Sequence, residues 1–327
     1  MSRAAQSSRI SGALRVFRSL DEISSGFGPT VAAIGNFDGV HRGHREILSA
    51  AAAEAHASGA QAVAITFDPH PERFLHPAEA LKLLTPMDER LRLLATTGID
   101  AALVLPFDAA LAQLEPRQFA ERILVSALSV RSVHEGRNFR FGRGASAGVR
   151  ELATLGAELG FAVHLHKAVR VRGMAISSSA VRALVAEGDV SRARRLLGRP
   201  FAILSRPARG RGIAHRLLVP TINLAAYSEL LPAFGVYVAR LLVAGRPFQA
   251  VTNVGNRPTF GAPSFAVESY ILDFEPIELS RETPIELEFL YRLRGERQWP
   301  SPEALKAQIL KDVARAQQYF KLASIYQ

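Results

Sequence analysis

An apolar run at residues 31–34 stops at Gly35, and the chain then reads Gly35-Asn36-Phe37-Asp38-Gly39-Val40-His41-Arg42-Gly43-His44 before an alanine-rich stretch at 45–58. That order spells a strand, a glycine-bearing turn and a helix start. Gly35 and Gly39 let the backbone turn tightly and come close to a ligand. The helix start offers unpaired N–H groups and the positive end of a dipole, a natural seat for phosphate. His41 and His44 are spaced so that both rings share one side of the first helical turn. Two imidazoles beside a phosphate seat suit a reaction in which a phosphate oxygen gains negative charge, which is nucleotidyl transfer. The rival signatures are missing. There is no Gly-x-x-x-x-Gly-Lys-Ser/Thr loop, and no Gly-x-Gly-x-x-Gly follows the first strand.

The turn sits in an alternating pattern. Strand-like runs at 31–34, 62–67, 101–105, 132–135 and 161–165 are separated by helix-like runs at 45–58, 88–97, 116–128 and 149–159. Such alternation predicts an α/β fold with a parallel sheet covered by helices. Ligands in these sheets bind beyond the carboxyl ends of the strands, where the histidine turn lies. Past residue 200 the texture changes to short β-rich runs at 201–204, 235–243, 248–254, 266–274 and 285–293, with a closing helix at 302–319. Repeated short strands predict an antiparallel sheet or barrel. Gly188, Gly198 and Pro200 interrupt the chain between these textures, which predicts two domains, 1–190 and 191–327.

Composition narrows the chemistry. With no cysteine, thiolate catalysis, disulfides and cysteine-bound metals are excluded. No stretch has the length and apolarity of a membrane span. Residues 1–13 are polar, without the apolar centre of a secretory signal, and read as a frayed tail of a cytoplasmic protein. The net charge of +10 has no dense basic block behind it. Arginines at 192, 194, 195 and 199, and at 206, 209, 211 and 216, are broken by glycine and proline, favouring nucleotide phosphates over nucleic acid as partners.

Further segments have the right residue types for a nucleotide site. Thr66-Phe67-Asp68-Pro69-His70-Pro71 ends the second strand and turns His70 toward the same cleft. Asn138-Phe139-Arg140-Phe141-Gly142 follows the fourth strand, and Asn138 can hydrogen-bond a base or ribose. Ile176-Ser177-Ser178-Ser179-Ala180-Val181-Arg182 places hydroxyls at a helix start, with Arg182 one turn inside to neutralise leaving phosphates. In the second half, Thr221 and Asn223 in Val219-Pro220-Thr221-Ile222-Asn223 point to one side of an extended segment and can ligate Mg²⁺. Gly210-Arg211-Gly212 upstream is a basic loop suited to covering phosphates. Glu268 interrupts an apolar run, where a carboxylate needs a partner or a task such as general base. Taken singly, each has a plain structural alternative: a cap, a stiff turn, an aromatic core pair, a polar strand face, an ion pair at a strand edge.

Taken in order, these motifs resemble the bacterial bifunctional riboflavin kinase/FAD synthetase family, and the likeness runs from about residue 15 to 325. The resemblance implies a His-x-Gly-His nucleotidyltransferase domain of Rossmann type, followed by a six-stranded riboflavin kinase barrel. It implies that His41, His44 and Arg182 stabilise adenylyl transfer, that Gly35, Asn36, Phe37 and Asp38 line the nucleotide cleft, and that Ser177 and Ser178 hold phosphates. It places Asn138 at FMN or nucleotide, Thr221 and Asn223 at Mg-ATP, and Glu268 as the base acting on the ribityl hydroxyl. Arg294 falls in a loop near the flavin, and His70 is grouped with these flavin contacts. ATP, Mg²⁺, riboflavin, FMN and FAD are the implied small molecules, acting on a monomer or weak homo-oligomer. One departure stands out: Leu218 replaces the glycine that usually precedes the Pro-Thr signature. Two other readings stay open, a single-activity adenylyltransferase and a flavin- or nucleic-acid-binding regulator.

Overall fold

The computed structural model describes residues 9–10, 14–24, 26–79, 81–208, 221–259, 262–273 and 279–325. They fall into two compact units, Met1–Ser178 and Ser179–Gln327.

In the first unit, six strands run parallel: β1 (Leu14–Phe17), β2 (Thr30–Ile34), β3 (Gln61–Asp68), β4 (Ala101–Pro106), β5 (Val130–Gly136) and β6 (Ala162–His166). Their order is β1-β4-β3-β2-β5-β6. The strands read as nearly continuous apolar runs because both faces are covered. Ala32, Ile34, Val63, Ile65 and Leu103 face one side. Val31, Ala33, Ala62 and Ala64 face the other. The second side is covered by α1 (Arg42–Ala57), which packs through Leu48, Ala51, Ala52 and Ala55, and by a later helix; the short α2 (Pro71–Leu75) follows β3. That later helix, α3 (Met87–Ala95), packs through Leu91, Leu93 and Leu94. The first side is covered by α4 (Val149–Leu159) and by helical turns at Pro116–Phe119 that continue as a π-helix over Ala120–Ala127. The strand order reverses at β2, with β3 on one side and β5 on the other. Crevices form at such reversals, beyond the carboxyl ends of the strands.

Two details differ from expectation. β1 has no counterpart among the expected strands, because four residues are too few for periodicity to mark. Arg9–Ile10, in the stretch read as a tail, pairs antiparallel with β1.

Helix α5 (Ser178–Ala186) and helix α6 (Val190–Leu197) precede the second sheet. Its strands are β7 (Phe201–Ser205), β8 (Thr221–Asn223), β9 (Gly235–Val243), β10 (Arg246–Thr259), β11 (Ala262–Ile271) and β12 (Ile285–Gly295). They lie in the order β7-β12-β9-β10-β11-β8, every pairing antiparallel. The sheet curls until its edges approach: the Ala208 N–H donates to the Asn223 carbonyl at 2.8 Å, and the Ala225 N–H donates to the Arg206 carbonyl at 2.8 Å. The result is a curled half-barrel. Val236, Val238 and Val251 pack under the closing helix α7 (Pro302–Ile325) around Ala316. Tyr237 and Phe289 are fully buried and meet edge to face.

Candidate active sites

In the first unit the turn after β2 is pinned from two directions. The Gly35 N–H donates to the Ile65 carbonyl at 2.9 Å, and the Thr66 hydroxyl donates to the Asn36 carbonyl at 3.2 Å, tying the ends of β2 and β3 together. Asp38 is fully buried, and its carboxylate accepts from the Leu84 N–H at 3.1 Å, the Thr85 N–H at 3.0 Å and the Thr85 hydroxyl at 3.3 Å. The Gly39 N–H donates back to Thr85 Oγ1 at 2.9 Å. Phe37, Gly39 and Val40 have φ of 47°, 82° and 35°. Two non-glycine residues in the left-handed region hold that strain only where the surroundings over-determine it, as the Asp38–Thr85 clasp does here.

The clasp delivers both histidines to the start of α1. His41 is the N-cap, its Nδ1 accepting from the His44 N–H at 3.2 Å. The two rings stack with centroids 3.5 Å apart, and the edge of Phe37 closes on His44 at 5.3 Å. His44 Nδ1 is buried without a hydrogen-bond partner among the described residues. Burial pushes the His44 pKa well below 6.5, and the nearby His41 and Arg90 add to the effect. A neutral ring with an uncommitted nitrogen, at a helix N-terminus, is ready to meet an anion. Ser178, the first residue of α5, donates its hydroxyl to the Asp38 carbonyl at 2.8 Å, so the serine motif reaches the histidine turn; Ser177 is exposed beside it. Arg182 lies further along α5, within the second unit, and donates to Ser179 Oγ at 3.4 Å.

His70 caps α2 at the end of β3, its Nδ1 accepting from the Glu72 N–H at 3.2 Å. Asn138 is exposed in the turn after β5 and lines a cleft of about 760 Å³ with Pro116, Arg137, Phe139 and Arg140. Phe139 and Phe141 stack at 5.5 Å.

In the second unit, register does what sequence spacing cannot. Glu268 on β11 stands opposite Asn223 on β8 and opposite Asn253 on β10. Asn253 in turn faces Val236 on β9, which faces Arg294 on β12. Residues directly opposite share a face, so one row carries Asn223, Glu268, Asn253 and Arg294, with Thr221 two places along β8 on the same face. Arg294 Nε donates to Asp312 Oδ2 of α7 at 2.9 Å, and its guanidinium lies 5.5 Å from the Trp299 ring centroid. Gly210, Gly212 and Leu218 lie outside the described residues.

A carboxylate flanked by amides and a hydroxyl in one unit, and a histidine pair at a helix start in the other, call for comparison with known proteins. The FAD synthetase family matches residues 25–180 and the riboflavin kinase family residues 197–320. The bifunctional riboflavin kinase/FMN adenylyltransferase of Escherichia coli (strain K12) is 34% identical over 293 residues, covering 89% of this chain and 93% of that protein. The protein of the same description from Pseudomonas fluorescens is 36% identical over 287 residues, covering 88% and 91%. This chain belongs to the bifunctional riboflavin kinase/FMN adenylyltransferase family. A crystal structure described as a macrolide-efflux protein from Streptococcus pneumoniae superposes with a TM-score of 0.84 over 93% of this chain and 98% of that one. At 24% identity that likeness shows a shared fold.

As a riboflavin kinase/FMN adenylyltransferase, the chain has two activities, and the motifs that match in order fall in both family regions. Several residues that build the sites carry no local signal. Thr85 and Arg90 come from a segment about 46 residues beyond the histidine turn. Glu135 at the end of β5 is buried, accepts from the Ile34 N–H at 2.8 Å, and is pushed by burial well above the usual carboxyl range. Asn253 reaches Glu268 only through strand pairing, and Asp312 reaches Arg294 only because α7 packs there.

Proposed function

We propose that FMN is adenylylated at the histidine turn of a His-x-Gly-His nucleotidyltransferase unit, and that riboflavin is phosphorylated at the Asn223–Glu268 row of the curled sheet. The observation that carries this reading is the facing of Glu268 and Asn223 on neighbouring strands, which puts a base next to an oxygen ligand set. Glu268 takes the proton of the ribityl hydroxyl. That oxygen bonds to the γ-phosphorus of ATP, the bond to the β-phosphate oxygen breaks, and ADP leaves with FMN formed. The donors at Thr221 and Asn223 are oxygens, which is what Mg²⁺ prefers, so these residues would hold the ion that neutralises the ATP phosphates.

In the first unit a phosphate oxygen of FMN attacks the α-phosphorus of a second ATP and pyrophosphate departs, leaving FAD. His41 and His44 donate to the charge that develops, and Ser177 holds the departing phosphates. Gly35 and Asn36 bring the backbone against the nucleotide. Phe37 and Asp38 serve it by shaping the loop, because Asp38 is engaged with Leu84 and Thr85 and Ser178 with Asp38. The cleft beside Asn138 suits the isoalloxazine; His70, after β3, and Arg294, in the second unit, are assigned to flavin contacts as well. We assign adenylyl transfer to residues 1–190 and the kinase to 191–327, a division that falls between the two family matches. The absence of cysteine and the nucleotide substrates suit a cytoplasmic enzyme, monomeric or weakly self-associating, with no nucleic-acid partner; among the described residues no helix is long and apolar enough to cross a membrane.

The test is product analysis of single variants. Glu268→Ala loses FMN formation from riboflavin by roughly a hundredfold or more and keeps FAD formation from added FMN; His44→Ala does the reverse. Loss of both activities in either folded variant refutes separate sites.

A further inference from the structure

The sheet face beneath α1 carries a cluster that neither activity uses. β5 and β6 run parallel with His134 opposite His164 and Gly136 opposite His166, so the three rings share one face. Helix α1 lays Glu54 over them. Glu54 Oε2 is 2.8 Å from His134 Nε2 and 3.3 Å from His164 Nε2. The three donor atoms all lie within 4.8 Å of one another. Ser132 donates its hydroxyl to the other carboxylate oxygen, Oε1. His134 Nδ1 faces His166 Nε2 at 3.0 Å.

We propose that Glu54, His134 and His164 form a binding site for a divalent transition-metal ion of the Zn²⁺ type, one that ties the far end of α1 to β5 and β6. Bonds of about 2.0–2.2 Å in a tetrahedral site put ligand atoms roughly 3.3–3.5 Å apart. Of the three separations, those of 2.8 and 3.3 Å need only small side-chain adjustments to reach that, and the third, between the two imidazoles, lies within 4.8 Å. Two imidazoles and one carboxylate favour Zn²⁺, Ni²⁺ or Cu²⁺ over Mg²⁺, which selects oxygen. His134 is buried while the His164 side chain is 48% exposed, so the fourth position opens to water and supplies the entry path.

The surroundings supply what a metal site needs beyond its ligands. Ser132 orients the carboxylate, and His166 orients the His134 ring. With the ion on Nε2, His134 carries its single proton on Nδ1 and donates to His166 Nε2, so no proton need be gained.

Zn²⁺ alone, titrated by calorimetry into tag-free, metal-stripped full-length protein, tests the site. The wild type is expected to bind one tight equivalent, and Glu54→Gln and His164→Ala to weaken it at least tenfold, in the range seen when metal-site partners are removed. Zn²⁺ also raises the Tm of the wild type but not of His164→Ala. The stacked His41–His44 pair is the competing location, so His41→Ala is titrated alongside and keeps the tight equivalent. No tight equivalent in the wild type, its survival in His164→Ala, or its loss in His41→Ala overturns the proposal.

Discussion

At His44, burial and two neighbours act in the same direction. Burial, then His41 and Arg90, leave the ring uncharged at neutral pH. If a nucleotide triphosphate binds here as proposed, its negative charge favours the protonated ring and raises the His44 pKa. We expect histidine-labelled protein, followed by NMR, to show His44 titrating well below an ordinary histidine, and a non-hydrolysable ATP analogue to raise its midpoint. A free-protein midpoint near 6.5 would refute the burial argument. The same shift bears on stability. The folded value lies below the unfolded one, so the unfolded chain takes up a proton first as pH falls below about 6.5 and stability declines from there; above that pH His44 adds no slope. Glu135 has the opposite sign: its folded value is raised, so the stability linked to its proton is lost as pH climbs through that value.

The element that matters most is the strand–turn–helix from β2 into α1, and its outline is legible in the sequence. An apolar run, two glycines and an alanine-rich stretch mark it, and strand, turn and helix follow in that order. The clasp that holds the turn is not legible, because Asp38 meets Thr85 across 47 residues and no local pattern announces it. Thr85→Val keeps the side-chain shape, removes the acceptor for the Gly39 N–H, and removes one donor to Asp38. Losing a buried hydrogen bond costs about 0.5–1.5 kcal/mol net. The expected result is a lower Tm and a clear drop in adenylyl transfer, with riboflavin phosphorylation unchanged. Equal loss of both activities would show that the clasp supports more than the turn. β1 is illegible for a different reason: its four residues are too few for a period, and it is defined by its neighbour in the sheet.

Across the whole molecule, the change of texture near residue 200 marks the passage from a parallel, helix-covered sheet to an antiparallel one, and the two family matches fall on either side of it. The Glu268 row depends on register: Glu268 and Asn223 are far apart in the chain, and only antiparallel pairing sets them opposite one another. Sequence spacing marks Glu268 as out of place in an apolar run and puts Thr221 and Asn223 on one side of an extended segment; strand pairing sets Asn223 opposite Glu268. Because the histidine turn and the Glu268 row each sit wholly within one unit, the two variants should complement each other in solution. Glu268→Ala chains keep an intact histidine turn, and His44→Ala chains keep an intact Glu268 row. An equimolar mixture given riboflavin and Mg-ATP should therefore form FAD, with free FMN rising first and FAD following after a lag that shortens as total protein rises. Chromatography of the flavins over time reads this directly. FAD formation by the mixture with no free FMN at any time would mean that FMN passes from chain to chain without entering solution, and no FAD at all while each variant keeps its own single activity would mean that FMN stays with the chain that makes it; either outcome would sink the independent-site account.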